Sequence, residues 1–297
     1  MADPSHVPVL TAEAMGYLVP EPRGVFVDCT VGAGGHARAL MESGAQRLLC
    51  LDRDPLALAH AAEVLAAWRD RVEFVHADFR DLAAVLDKRG LATIDGAIAD
   101  LGVSSMQLDG EGRGFSFRRD EPLDMRMDRT AGTTAADLIR DTPEQELADL
   151  IFQYGEERHS RRIARAIVET RREMPVRTTG QLAAIIRRAI PQRGWRRIDP
   201  ATRTFQAIRI WVNRELDGLK EALEAICCRL SGGARVVVVS FHSLEDRIVK
   251  QTLRALARGQ EAIIRVLTKR PLVASSDERD RNPRARSAKL RAAERIA

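Results

Sequence analysis

The chain has 297 residues, of which 45% are apolar and 30% charged, and a formal net charge of +5. This is the balance of a folded protein with room for one large domain or two modest ones, and it excludes disordered, collagen-like and coiled-coil classes. Apolar stretches such as Val236–Val239, followed after Ser240 by Phe241, are far too short to span a bilayer. The first residues carry Asp3, His6 and Glu13 without an apolar signal region, so a cytoplasmic protein is expected. Cys29, Cys50 and the adjacent Cys227 and Cys228 form no Cys-x-x-Cys, which implies neither a zinc cage nor a disulfide scaffold.

In chain order, Gly24–Asp28 reads as a short strand, followed by a glycine turn and a helix through Met41. Arg47–Asp52 is a second strand, and Pro55–Trp68 an alanine-rich helix with proline in its first turn. Val72–His76 is a third strand and, after another helix, Ile94–Asp100 a fourth. Strands alternating with helices predict a parallel, doubly wound sheet. From Ser104 to Gln206 no convincing strand occurs, only loops rich in Gly, Asp and Arg and then helical stretches. Alternation returns with a long helix near Ile208–Leu230, the strand Arg235–Ser240, a helix through Leu256 with capping-box spacing at Ser243 and Asp246, and a strand at Ala262–Leu267. The organisation is an α/β domain, residues 1–105 with 207–297, interrupted by a helical, basic insertion at 106–206.

Charge is concentrated in that insertion. Arg158 to Arg214 holds 15 arginines and no lysine against Glu169, Glu173 and Asp199, a local +12 that leaves −7 for the remainder; a second basic run spans Arg279–Arg295. With so few acids, alternating salt bridges cannot account for the segment. Arginine forks bind phosphate and stack on bases, so a polyanion, nucleic acid first, is the expected partner.

The turn Asp28-Cys-Thr-Val-Gly32-Ala-Gly34-Gly35-His36 lies between strand and helix, where glycine lets the backbone approach a ligand and the helix start adds positive potential. Asp52 ends the next strand, where a carboxylate can accept from both hydroxyls of a ribose. Gly32-x-Gly34-x-x-Ala37 also satisfies the relaxed dinucleotide fingerprint. An acid four residues before Gly32 is instead similar to the first motif of S-adenosylmethionine methyltransferases, which favours that cofactor over NAD. Phe79 is an adenine-stacking candidate or a core residue. Asp100 ends the fourth strand on the crevice side, or caps a loop.

The resemblance then becomes specific. Asp100-Leu-Gly-Val-Ser-Ser-Met-Gln107-Leu-Asp, Arg113-Gly-Phe-Ser-Phe117, Pro122-Leu-Asp-Met-Arg-Met-Asp128, Tyr154-Gly-Glu-Glu157, Ala201-Thr-Arg-Thr-Phe-Gln-Ala-Ile-Arg-Ile210, Ser240-Phe-His-Ser-Leu-Glu-Asp-Arg247 and Asn282-Pro-Arg-Ala-Arg-Ser287, with His6-Val-Pro-Val-Leu10, closely resemble the bacterial 16S rRNA (cytosine-N4)-methyltransferases, the RsmH/MraW family, over nearly the whole chain. The resemblance implies a class I S-adenosylmethionine-dependent methyltransferase fold, Rossmann-like, with an inserted all-α substrate-recognition domain. It implies methyl transfer from S-adenosyl-L-methionine to the exocyclic N4 of a cytidine in the decoding region of 16S rRNA, with the small ribosomal subunit as partner. Cofactor contacts carry over onto Gly34, Gly35, His36, Asp52, Phe79, Asp100 and Gln107. Met106 stands where proline is common, Asp199 where histidine is common, and Arg258–Glu278 is short for the family.

N4 of cytosine is a poor nucleophile because its lone pair is delocalised, so the protein must align amine, carbon and sulfur and accept a proton. Asp100 is the first candidate for that contact and His242 the second, although His242 can equally hold the turn before its helix. An Asn/Asp-Pro-Pro-aromatic signature is absent at the fourth strand end, where Leu101-Gly102-Val103 follow, which leaves the base unassigned. The other histidines show no metal-ligand spacing, so no metal is expected. Arg196, Arg197, Arg203 and Arg209 are the candidate RNA contacts, with Trp195 and Phe205 as stacking candidates, although Phe205, like Trp211, can equally pack its helix. A monomer or homodimer without an obligate protein partner is expected. A dinucleotide oxidoreductase does not explain the arginines, and a non-catalytic RNA-binding protein does not explain Gly32–Asp52.

Overall fold

The computed structural model describes residues 8–18, 24–190 and 199–296. The chain forms two compact units, Met1–Ser104 with Leu216–Ala297 and Ser105–Glu215. The second junction falls nine residues beyond 206/207 because the helix over Ala201–Asn213 stays whole in the second unit.

The first unit opens with α1 (Thr11–Leu18), then alternates β1 (Val25–Asp28), α2 (Gly35–Glu42), β2 (Arg47–Asp52), α3 (Pro55–Val64), β3 (Val72–His76), α4 (Leu82–Asp87) and β4 (Ile94–Asp100). Asp54 caps α3 by accepting from Leu56 N–H, with Pro55 in the first turn, where its missing N–H costs nothing. This helix is shorter than expected: the buried Leu65 leaves it, and Ala66–Trp68 forms a separate 3-10 turn.

The second unit carries α5 (Ser105–Asp109), α6 (Ala135–Asp141), α7 (Glu144–Gly155), α8 (Ser160–Glu173), α9 (Thr179–Ala189) and α10 (Ala201–Asn213). Its described residues are helices and loops with one isolated bridge, Pro122 to Thr178. Helix α8 buries Ile163, Ala164, Ile167 and Val168 and exposes Arg161, Arg162, Arg165 and Arg172, the amphipathic period of a surface helix. A Cβ on Gly155 would lie 2.6 Å from the Arg203 carbonyl oxygen, so only glycine lets α7 and α10 approach this closely. Asp199, the departure from the family pattern, accepts from Ala201 N–H at 2.8 Å and pairs with Arg187 at 2.8 Å.

The chain returns to the first unit through α11 (Leu219–Arg229), β5 (Leu230–Ser240), α12 (Ser243–Leu256), β6 (Ile264–Val266), α13 (Ser276–Arg281) and β7 (Lys289–Arg295). The single helix expected near Ile208–Leu230 is two helices. Arg214 takes a left-handed conformation (φ 50°) at the end of α10, and Gly218 (φ 67°) starts α11. Helix α12 begins one residue away from the predicted box: His242 is the N-cap and Glu245 its partner.

Among the described residues seven strands form one sheet, ordered β3-β2-β1-β4-β5-β7-β6. The first five are parallel, but β7 runs antiparallel to both β5 and β6, so the sheet is mixed rather than wholly parallel. Strand β7 was not anticipated; it occupies part of the basic run, and its Arg291 is buried. Phe26, Leu48, Ile98 and Val237 enter one core while Val27, Leu49, Ala97 and Val238 enter the other, as period-two strands covered on both faces must. No helix among the described residues is long and apolar enough to cross a membrane.

Candidate active site

The strand order reverses between β1 and β4, the crevice where open α/β sheets bind ligands. Asp28, Asp52 and Asp100 end β1, β2 and β4, so parallel register brings three carboxylates to one edge. The chain leaves β1 with Cys29 N–H donating to the Ile98 carbonyl and Val31 N–H to that of Leu51. It turns at Gly32 (φ 50°) and Gly34 (φ 82°), and Gly34 N–H closes onto the Val31 carbonyl at 2.7 Å. The φ at Gly34, directly before α2, is one that side-chain-bearing residues rarely adopt.

Asp52 holds this turn from outside: Oδ2 accepts from Gly32 N–H and Oδ1 from Asp54 N–H, each at 2.8 Å. Each oxygen keeps a lone pair for a hydroxyl donor. Burial pushes the Asp52 carboxyl up to about 6 despite those two donors. Asp28 is 1% exposed; its Oδ1 accepts from Thr30 N–H at 3.1 Å and its Oδ2 has no partner among the described residues. Burial raises it to about 7, partly offset by His36 and reinforced by the like charges of Asp100 and Asp52.

Thr30, which the sequence reading passed over, ties Asp100 to this group because its Oγ1 accepts from Asp100 N–H at 2.7 Å. His36, buried in the first turn of α2, sets its Nε2 3.4 Å from Asp100 Oδ2. Burial works to lower the His36 pKa, but Asp100 first, then Asp28 and Glu278, carry it upward. Asp100 Oδ1 has no partner among the described residues.

Phe79, just after β3, packs half-buried against the core, so it has the packing role and an exposed portion together. Asp78 beside it is taken up by Arg80, whose Nε and Nη2 donate at 2.8 and 2.6 Å, with Arg53 3.6 Å away. Burial alone would raise Asp78; these bonds hold it below its ordinary value. Gln107 belongs to the second unit, buried on α5.

His242 holds the turn before its helix. Its Nδ1 accepts from Glu245 N–H at 3.4 Å, its Nε2 lies 3.0 Å from Glu245 Oε1, and Glu245 Oε2 accepts from Phe241 N–H at 2.8 Å.

Of the RNA candidates, Arg196 and Arg197, like Trp195, lie outside the described residues. Arg203 is exposed and donates to the Glu156 carbonyl at 3.2 Å. Arg209 is locked in a bidentate pair with Glu215 at 2.9 and 2.8 Å, its side chain 15% exposed. Phe205 packs edge-on to Phe117, the ring centres 4.8 Å apart. In the stretch 113–128, Asp124 accepts from Arg126 and Arg113 donates to the Met127 carbonyl, while Asn213 of α10 bonds Met125 and Met127.

The donor set discriminates between cofactors. Asp52 suits the ribose of either cofactor, but the unpartnered acceptors Asp28 Oδ2 and Asp100 Oδ1 beside the turn call for donors or positive charge rather than for a pyrophosphate. S-adenosylmethionine brings an ammonium, a sulfonium and two ribose hydroxyls, and these residues fit it.

The sequence comparisons agree. A sequence model of the MraW methylase family matches residues 3–296. The chain is 48% identical, over the whole length of both, to "Ribosomal RNA small subunit methyltransferase H" of Geotalea uraniireducens. It is 50% identical to the protein of the same name from Bradyrhizobium diazoefficiens, over all of this chain and 93% of that one. A solved rRNA methylase from Streptococcus thermophilus is similar at 12% identity and a TM-score of 0.43, over 97% of this chain and 94% of that one. The mixed sheet with its acid-ringed turn is that of a class I methyltransferase, and the methyl donor is S-adenosylmethionine. The chain belongs to the MraW methylase family. The oxidoreductase reading falls with that membership.

Proposed function

We propose that this protein methylates the small-subunit rRNA, transferring the methyl group of S-adenosylmethionine to the exocyclic N4 of a cytidine in the decoding region of 16S rRNA. The observation that carries the reading is the full-length similarity to proteins named ribosomal RNA small subunit methyltransferase H. The unit 105–215 is the substrate-recognition domain in this reading, and its arginines supply the phosphate contacts. Arg161, Arg162 and Arg172 are the strongest of these, exposed on α8 and without an ion pair among the described residues.

When bound, S-adenosylmethionine supplies a methyl group activated on sulfur. Asp52 accepts from the ribose hydroxyls through the lone pairs its backbone donors leave free. Asp28 and the turn after it meet the ammonium end, whose charge drives Asp28 to its ionised form. Asp100, whose Oδ1 has no partner among the described residues, would accept the N4 proton as the methyl group is transferred. His36, with Nε2 3.4 Å from the other Asp100 oxygen, pairs with the carboxylate when protonated. A duplex-buried cytidine is presented unpaired, which arginine and aromatic side chains stabilise.

The test uses small ribosomal subunits from cells lacking the gene, incubated with this protein and methyl-labelled S-adenosylmethionine, with the labelled nucleoside identified by mass spectrometry. Label in N4-methylcytidine at one decoding-region site is expected. Label in another nucleoside overturns the acceptor, and absence of label from both the subunit and its naked rRNA overturns the function.

A further inference from the structure

Lys250 and Arg254 stand four residues apart on α12, one turn above each other on the same face. With Leu253, Val266, Thr268, Lys269 and Arg291 they line a hollow of about 300 Å³ between α12 and the β6–β7 rim. Four of the seven lining residues are cations and none is an acid. Arg291 is neutralised inside the fold: its Nε donates to Asp246 Oδ1 at 2.7 Å, and Lys289 reaches the other Asp246 oxygen at 3.3 Å. Lys250, Arg254 and Lys269 have no ion pair among the described residues. Thr268 Oγ1 already accepts from Ala292 N–H.

Like charges one turn apart repel, and a concave wall gathers their field where a convex surface would disperse it. An arginine fork with two flanking ammonium groups is the donor set for phosphate.

We propose that this hollow is a phosphate-binding site through which the methyltransferase unit itself grips the RNA backbone, separately from the arginine-rich unit 105–215. The proposal rests on the rRNA reading above. The site reads charge and spacing, not sequence, because its free groups are point charges and a fork without a base-edge acceptor.

The experiment compares the full-length protein with a Lys250→Gln, Arg254→Gln, Lys269→Gln variant, binding a 16S rRNA fragment spanning the decoding region over a salt series. Loss of three phosphate contacts lowers the slope of log K against log salt by about 2 on single strands and about 3 on duplex. Binding of S-adenosylmethionine stays unchanged, which reports an intact fold, and a Lys250→Arg, Lys269→Arg variant keeps the wild-type slope. The RNA fragment also protects Lys250 and Lys269 from acetylation. An unchanged slope with a wild type that binds RNA overturns the hollow and leaves the substrate reading standing. An unchanged slope with protection by inorganic tripolyphosphate alone makes it a small-anion site and likewise overturns the proposal. A wild type that binds no RNA overturns both.

Discussion

Replacing Asp28 by asparagine is expected to stabilise the free protein at alkaline pH. Asp28 is 1% exposed, one of its oxygens has no partner, and burial raises its pKa from 3.8 to about 7. Below 3.8 the carboxyl is neutral in the folded and unfolded chain alike. As pH rises from there to about 7, the unfolded chain gives up the proton and the folded one keeps it, so stability is lost with rising pH. Each unit removes about 1.4 kcal/mol, and three units about 4 kcal/mol. Asparagine carries no charge to desolvate, and its oxygen still accepts from Thr30 N–H. Its amide nitrogen takes the place of Oδ2, and an unmet buried donor costs about 1–3 kcal/mol. The net gain is about 1–3 kcal/mol above pH 7, shrinking to nothing or reversing toward about pH 4. Urea unfolding of both proteins between about pH 4 and pH 8 measures it. A wild-type stability that follows the same pH course as the variant would mean that Asp28 is already ionised in the fold, and the reasoning would fail.

Asp52→Ala removes the acceptor for two backbone donors and the proposed ribose contact; S-adenosylmethionine affinity should fall about 100-fold by calorimetry, some 3 kcal/mol, with RNA affinity unchanged. Equal loss of both would make Asp52 structural. Asp246→Asn strands the Arg291 guanidinium, 7% exposed, without its counter-charge; unfolding free energy should drop by about 3 kcal/mol, and a change below about 0.5 kcal/mol would show the pair to be dispensable. His242→Ala removes the cap of α12, costing about 1 kcal/mol while kcat stays near wild type. A large kcat loss at full stability would move His242 into the chemistry.

The alternating strands β1 to β4 were legible because their apolar runs are continuous and end in turn residues, and the acids closing β1, β2 and β4 were legible for the same reason. Strand β7 was not. Lys-Leu-Arg-Ala-Ala-Glu-Arg has the composition of a solvated helix, and it becomes a strand because β5 and β6 offer it two unpaired edges. Its buried Arg291 answers to Asp246, 45 residues earlier in the chain. The break between α10 and α11 was equally hidden, since Arg214 is an ordinary helix former that the fold sends left-handed.

At the site, the residue types were readable and their states were not. Arg209 is one more arginine in a basic run until Glu215 neutralises it. Arg113 and Asp124 stand in the family motifs, and only the fold shows that they bond the Met127 carbonyl and Arg126 within the same stretch. Local sequence alone determined the α/β alternation, the glycine turn and the strand-end carboxylates, because backbone propensity and hydrophobic period act between near neighbours. Burial and charge pairing depend on segments far apart in the chain, so only the tertiary structure decided that Asp28 holds its proton to about pH 7, that His36 faces Asp100, and which arginines remain free.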